Sequence, residues 1–259
     1  MISYFIDLPD GIRLHYETAG ARNQPPLILL HGLTGSCEGY TAIINELQQH
    51  YWCIAPDLPG HGQSSGGDLP YSIPFYEKVL LQFLDTLQIK RFQLCGHSMG
   101  GQLAIAYTYH HPERVKRLVL LAPAGFETFT PAEVKLLIGL SAMPLSGRHA
   151  QYAHAREWLQ QTGKMQVVIR SARGMLEYPV WNMLPELDLP TLVVFGSKDR
   201  LIPNPAVHAR MTSKQIALRG ARQLPQASVR LIRDEGHFLH RSSGRLIAEL
   251  ILKHEGRDT

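Results

Sequence analysis

Ser98 lies in Gly96-His97-Ser98-Met99-Gly100-Gly101, between the apolar run Phe92-Gln93-Leu94-Cys95 and the helix-like run Gln102-Leu103-Ala104-Ile105-Ala106-Tyr107. A Gly-x-Ser-x-Gly between a strand and a helix marks a nucleophile elbow, a turn sharp enough to strain the serine backbone and point its hydroxyl outward. Side chains two residues before or after the serine would collide across such a turn, and glycine removes them. A helix from Met99 to His110 would begin at the serine, so its unpaired amides and partial positive end face any oxyanion that forms there. The chemistry on offer is nucleophilic attack by a hydroxyl; the bland alternative is a mere strand-to-helix turn.

A serine hydroxyl is a weak nucleophile at neutral pH and needs a base in reach, with a third group to orient that base. Of the thirteen histidines, His237 is best placed. Residues 228–232 read as a strand, 233–238 as the loop leaving it, and 239–252 as a helix by apolar spacing. That puts His237 on the same sheet edge as Ser98. A β-branched strand over 190–195, closed by Gly196, delivers Asp199 to that edge. Asp188 precedes the strand, at the wrong end, and Asp234 and Glu235 are too close in sequence to His237 to approach its far ring nitrogen easily.

The elements that must carry these residues alternate. Strands are expected near 3–8, 12–18, 27–30, 51–56, 92–96 and 115–122, with helices near 40–49, 73–88 and 99–110. Such alternation predicts a mainly parallel sheet covered on both faces. The two opening strands, joined by Pro9-Asp10-Gly11, should form an antiparallel edge. After Leu121-Ala122-Pro123-Ala124-Gly125 the rhythm stops: 126–185 reads as helices over 133–140, 150–161 and 165–176, with no sheet strand until Thr191.

The order Ser98, Asp199, His237, together with Asp10-Gly11-Ile12-Arg13-Leu14-His15-Tyr16, His31-Gly32-Leu33-Thr34-Gly35, Asp57-Leu58-Pro59-Gly60-His61-Gly62-Gln63-Ser64 and Gly236-His237-Phe238, resembles the α/β-hydrolase superfamily over nearly the whole chain. The resemblance implies an α/β fold with a mainly parallel eight-stranded sheet, helices on both faces and a small helical cap. Residues 1–125 and 186–259 would form the core domain and 126–185 the cap, or lid, over the nucleophile.

It also implies an oxyanion hole made by the backbone amides of Leu33 and Met99, with His31 holding its loop and Gly60-His61-Gly62 shaping the backbone of the next one. Two aimed donors are worth several kcal/mol of barrier, since removing one typically costs about 3 kcal/mol. Apolar cap residues would divide between packing on the core and lining a pocket, and Trp158, Trp181 and Phe238 are the substrate-binding candidates.

Serine at the elbow, where haloalkane dehalogenases and epoxide hydrolases of this fold carry aspartate, favours acyl transfer through a covalent intermediate. The expected activity is a carboxylesterase-type serine hydrolase acting on a small to medium, largely apolar ester. A carbon–carbon bond hydrolase of the meta-cleavage type would use the same triad, but that group often has tryptophan where this chain has Phe238. A cofactor-free perhydrolase, acyl transfer to another acceptor and a non-catalytic small-molecule receptor complete the alternatives; a receptor usually betrays itself by a lost triad member, and all three are present.

Composition fits this reading. The 259 residues suffice for one large α/β domain with an insertion, and the 44% hydrophobic content holds no run long enough to span a bilayer. No basic, apolar, cleavable leader is read at the start, so a cytoplasmic location is the default expectation. Cys37, Cys53 and Cys95 are odd in number and two fall in expected core strands, which argues against a disulfide scaffold.

The net charge of +4 hides a stretch between Asp199 and Asp234 that holds no acidic residue but includes Arg200, Arg210, Lys214, Arg219 and Arg222. It reads as a solvated helix face, or as a basic face that steers an anionic substrate. Aromatic interleaving for nucleic acid is lacking. His110-His111 and His237-x-x-His240 are better explained by a helix terminus and the triad than by a metal. A small-molecule substrate is therefore expected, with no metal, cofactor, nucleic acid or membrane partner; the residues do not fix an oligomeric state.

Overall fold

The computed structural model describes residues 1–142 and 164–255. The candidate helix over 150–161, and with it Trp158, lies outside the described residues. The strands are β1 (Ile2–Asp7), β2 (Arg13–Ala19), β3 (Pro26–Leu30), β4 (Trp52–Pro56), β5 (Phe92–His97), β6 (Val115–Leu121), β7 (Thr191–Gly196) and β8 (Ala227–Ile232). They form one eight-stranded sheet in the order β1-β2-β4-β3-β5-β6-β7-β8. β1 and β2 pair antiparallel, β2 joins β4 antiparallel, and every pairing from β4 through β8 is parallel.

The helices are α1 (Thr41–Leu47), α2 (Ile73–Thr86), α3 (Met99–His110), α4 (Pro131–Ala142), α5 (Met165–Leu176), α6 (Ser213–Ala221), α7 (Leu239–Ser242) and α8 (Gly244–Glu255). β4, β5 and β7 are buried at every position, the pattern of parallel strands covered on both faces. α2 shows how local sequence builds the cover. Ser72 accepts a hydrogen bond from the Phe75 amide, a proline occupies the first turn, and Ile73, Tyr76, Val79, Leu80, Phe83 and Leu84 form the buried stripe.

Two differences from the expected elements have local causes. The helix read over 239–252 is broken: Ser243 leaves helical geometry (φ −121, ψ 31) between α7 and α8. A Cβ on Gly244 would lie 2.5 Å from Ala42 Cβ, so glycine lets α8 start in close contact with α1. Apolar spacing runs on through the break, which hides it from periodicity. The basic stretch after Asp199 contains α6, opened by a reciprocal capping box between Thr212 and Gln215. Its Arg219 turns inward, donating to Thr128 Oγ1 at 2.9 Å with its guanidinium 4.5 Å from the Trp181 ring.

Between β6 and β7 the described residues contain α4, α5 and a 3-10 turn at Trp181–Glu186, with no strand. Several contacts fasten this segment to the rest, among them a buried hydrogen bond between Tyr76 and Ser171 at 2.8 Å. Buried Gln102 on α3 donates to the carbonyls of Met175 (2.9 Å) and Tyr178 (2.8 Å), and Arg170 on α5 pairs with Asp68 at the surface. Among the described residues no helix is long and apolar enough to cross a membrane. Cys37, Cys53 and Cys95 are all free and buried.

Candidate active site

Ser98 is the turn between β5 and α3, with φ 52 and ψ −115, a conformation costly for a residue with a Cβ. The neighbouring backbone holds it there. Its amide donates to Leu121 O (3.1 Å), and its carbonyl accepts from Gly101 (2.9 Å), Gln102 (3.1 Å) and Ala124 (3.0 Å). The flanking glycines are required by contact: a Cβ on Gly96 would sit 2.2 Å from Gly100 O, and one on Gly100 2.2 Å from Leu30 O. The second clash is with the end of β3, so Gly100 admits a neighbouring strand as well as the turn.

The loop after β3 lies against the serine. A Cβ on Gly32 would be 3.0 Å from Ser98 Cβ and 2.9 Å from His97 Nδ1. Leu33 follows directly, half-buried, and Met99 is fully buried at the first helical position, where an amide has no intrahelical acceptor. His31 fixes this loop in one tautomer: Nδ1 donates to Gly32 O at 2.8 Å while Nε2 accepts from the Leu58 amide at 2.9 Å. Burial lowers its pKa and keeps the ring neutral.

His237 Nδ1 and Asp199 Oδ2 are 2.8 Å apart, and the Asp199 carboxylate is fully buried. Its other oxygen accepts from the Leu201 (2.8 Å) and Ile202 (3.0 Å) amides. The strand carrying Asp199 meets the histidine loop through Gly196, where a Cβ would fall 2.3 Å from Glu235 O. His237 is tied in turn to the elbow: its carbonyl accepts from His97 Nε2 at 2.9 Å, and the two rings are 4.8 Å apart. The structure thus gathers the loops bearing Ser98, Asp199 and His237 at the carboxyl ends of β5, β7 and β8.

The other acids are engaged elsewhere. Asp234 pairs with Lys198 at 2.9 Å, Glu235 accepts from the Ser242 and Ser243 hydroxyls, and Asp188 takes the Gln226 amide at 2.7 Å.

The comparisons with known proteins bear on this arrangement. A family model for the alpha/beta hydrolase fold matches residues 25–148. A putative lipase from Acinetobacter baumannii, 23% identical, superposes with a TM-score of 0.78 over 98% of this chain and 92% of its own. The chain has the α/β-hydrolase fold. A poly(3-hydroxyalkanoate) depolymerase from Ectopseudomonas oleovorans is 28% identical over 90% of this chain and 85% of its length. A Mycobacterium tuberculosis protein of uncharacterized function is 32% identical over 52% of this chain, and the match spans only 38% of that relative.

Within this α/β-hydrolase sheet, the loop after β4 is clamped rather than catalytic. Asp57 accepts from the Cys37 amide (2.7 Å), the Gln63 amide (2.9 Å) and His15 Nδ1 (2.8 Å). Burial pushes its carboxyl up, but neighbouring His31 and these donors outweigh that and leave it below the ordinary value. His15, Cys37 and Asp57 have ligand-type atoms within 4.8 Å of one another. Both Asp57 oxygens are already occupied, His15 Nε2 is bonded to Ser3 Oγ at 2.7 Å, and burial holds the Cys37 thiol protonated, so the trio serves as a structural clamp.

Of the substrate-binding candidates, Phe238 is 45% exposed beside His237, with ring centroids 5.3 Å apart. Trp181 is half-buried, with its ring against Arg219. Three further imidazoles surround the site. Burial drives His97 well below the ordinary range and pushes His61 and His240 to about 3, so all three are neutral at physiological pH. Sequence reading did not single out His97 as a tie to His237; its place next to Ser98 was the available signal.

Proposed function

We propose that the protein is a serine hydrolase that cleaves a small to medium, largely apolar carboxylic ester through an acyl-enzyme. The observation that carries this reading is the 2.8 Å His237–Asp199 hydrogen bond at the rim where the elbow strains Ser98. Ser98 Oγ attacks the ester carbonyl as His237 Nε2 takes its proton. The Leu33 and Met99 amides stabilise the tetrahedral oxyanion. Collapse expels the alcohol, which receives the proton from His237, and water then hydrolyses the acyl group by the same base and acid sequence.

Asp199 keeps the His237 proton on Nδ1 and leaves Nε2 free to accept. Exposed Phe238 beside the base supplies an apolar wall, which favours an apolar substrate group. The segment containing α4 and α5 is the cap of this reading. Similarity to a depolymerase and to a putative lipase supports a hydrolase.

The test is a p-nitrophenyl ester series of increasing acyl length on wild type and Ser98→Ala, with a fluorophosphonate probe alongside. Turnover by wild type alone and a single adduct on Ser98 are expected. Retained turnover in the alanine variant removes the nucleophile, and unchanged protein mass after long probe exposure favours a receptor.

A further inference from the structure

Glu127 is a carboxylate that the mechanism above does not use. It sits in the loop between β6 and α4 with its side chain 7% exposed. Its Oε1 accepts from the Asn204 amide at 2.7 Å and from His208 Nδ1 at 2.7 Å. The His208 ring stacks on Phe129, centroids 5.4 Å apart, two residues along from Glu127.

Burying a carboxylate is unfavourable unless donors are built around it. Burial indeed pushes Glu127 up, against the two hydrogen bonds, and the nearby Asp199 charge pushes the same way. The donors meeting Glu127 include the end of the loop 200–204, whose earlier amides contact Asp199. Asp199 Oδ1 depends on the Leu201 and Ile202 amides, and the next residue but one after Ile202 is Asn204, anchored to Glu127.

We propose that Glu127, with His208, is a positioning residue for Asp199: it pins the loop whose amides hold Oδ1 and so aims Oδ2 at His237. This rests on the proposed function only where Asp199 orients the base. The same Glu127–His208–Phe129 contact lies at the entry to α4, so the loop bearing the acid and the start of the helical insertion share one anchor. The groups facing Glu127 are His208 and the Asn204 amide at contact, with Asp199 nearby; Glu133, at the start of α4, lies close enough to feel His208.

The experiment compares Glu127→Gln and Glu127→Ala with wild type. Its readouts are kcat and KM on a p-nitrophenyl ester, and the far-downfield proton resonance of His237 Nδ1–H bonded to Asp199, identified by its loss in Asp199→Asn. Glutamine keeps an acceptor for both donors, so kcat stays within about threefold of wild type and the resonance persists. Alanine lowers kcat at least about tenfold with KM within about twofold, and shifts or broadens the resonance.

An alanine variant with wild-type kcat and resonance overturns the proposal, as does a loss of kcat with the resonance unmoved. Should Glu127→Ala not fold, His208→Phe keeps the ring on Phe129 and removes only one donor. A shifted resonance with reduced kcat then supports the pairing, and wild-type values for both overturn it. The resonance needs no substrate. A wild type that turns over no ester therefore defeats the functional reading while the positioning claim is still decided.

Discussion

The imidazole of His97 donates from Nε2 to the carbonyl of His237 at 2.9 Å, so the residue before the elbow serine holds the backbone of the proposed base. Burial keeps His97 neutral, which leaves one ring proton for this bond and none to compete with His237. His97→Ala should lower kcat about tenfold with KM little changed, because the lost contact sets geometry rather than substrate affinity. Steady-state kinetics on an activated ester check this; an unchanged kcat with a folded variant counts against it.

Asp199→Asn should leave the fold intact and cut turnover by roughly 10⁴, since an amide at this position favours the wrong His237 tautomer. Circular dichroism and ester kinetics on the same preparation decide it. A rate near wild type moves the orienting acid elsewhere.

The fold itself was largely legible, and for identifiable reasons. Glycine spacing around Ser98 and the mostly apolar runs of the parallel strands are local signals, and the strand-end positions of Asp199 and His237 follow from them. Glu127 was not legible, because nothing in Phe126-Glu127-Thr128 shows that Asn204 and His208 fold back to bury it. The α7–α8 break was hidden for a similar reason: Gly244 is dictated by Ala42, two hundred residues earlier in the chain. Arg219 read as part of a basic face, and only tertiary contact turns it onto Trp181.

Two glycine substitutions should move stability in opposite directions. Gly100→Ala drives a Cβ to 2.2 Å from Leu30 O and 2.6 Å from His31 O, both backbone atoms that cannot swing away, so a loss of about 3 kcal/mol or more and a lower Tm are expected. Gly139→Ala meets nothing within 4 Å on the exposed face of α4 and should gain about 0.5–1 kcal/mol from helix propensity. Thermal melts of the pair provide the comparison, and equal shifts would contradict the contact argument.

Acid should weaken the fold earlier than its carboxylates alone would dictate. His61 and His240 titrate at about 3 when folded, because burial penalises the imidazolium, and near the ordinary 6.5 when unfolded. Above about pH 6.5 neither state binds the proton and nothing is lost. As pH falls from there toward 3, only the unfolded state takes it up, and stability drops by about 1.4 kcal/mol per pH unit for each ring. Urea midpoints at pH 7.5, 6.0 and 5.0 should fall in that order; a midpoint that holds or rises down to pH 5.0 would show that these rings charge while folded.

Among the fastenings of the insertion between β6 and β7, two differ in physical kind. Gln102 grips two carbonyls with an uncharged, buried amide, whereas Arg170 and Asp68 meet as ions at 44% and 89% side-chain exposure. Dissolved electrolyte shields the second and scarcely touches the first. Raising ionic strength therefore weakens the Arg170–Asp68 tie alone, while the buried Tyr76–Ser171 hydrogen bond and the grip of Gln102 on Met175 and Tyr178 persist, so electrolyte by itself leaves α5 docked.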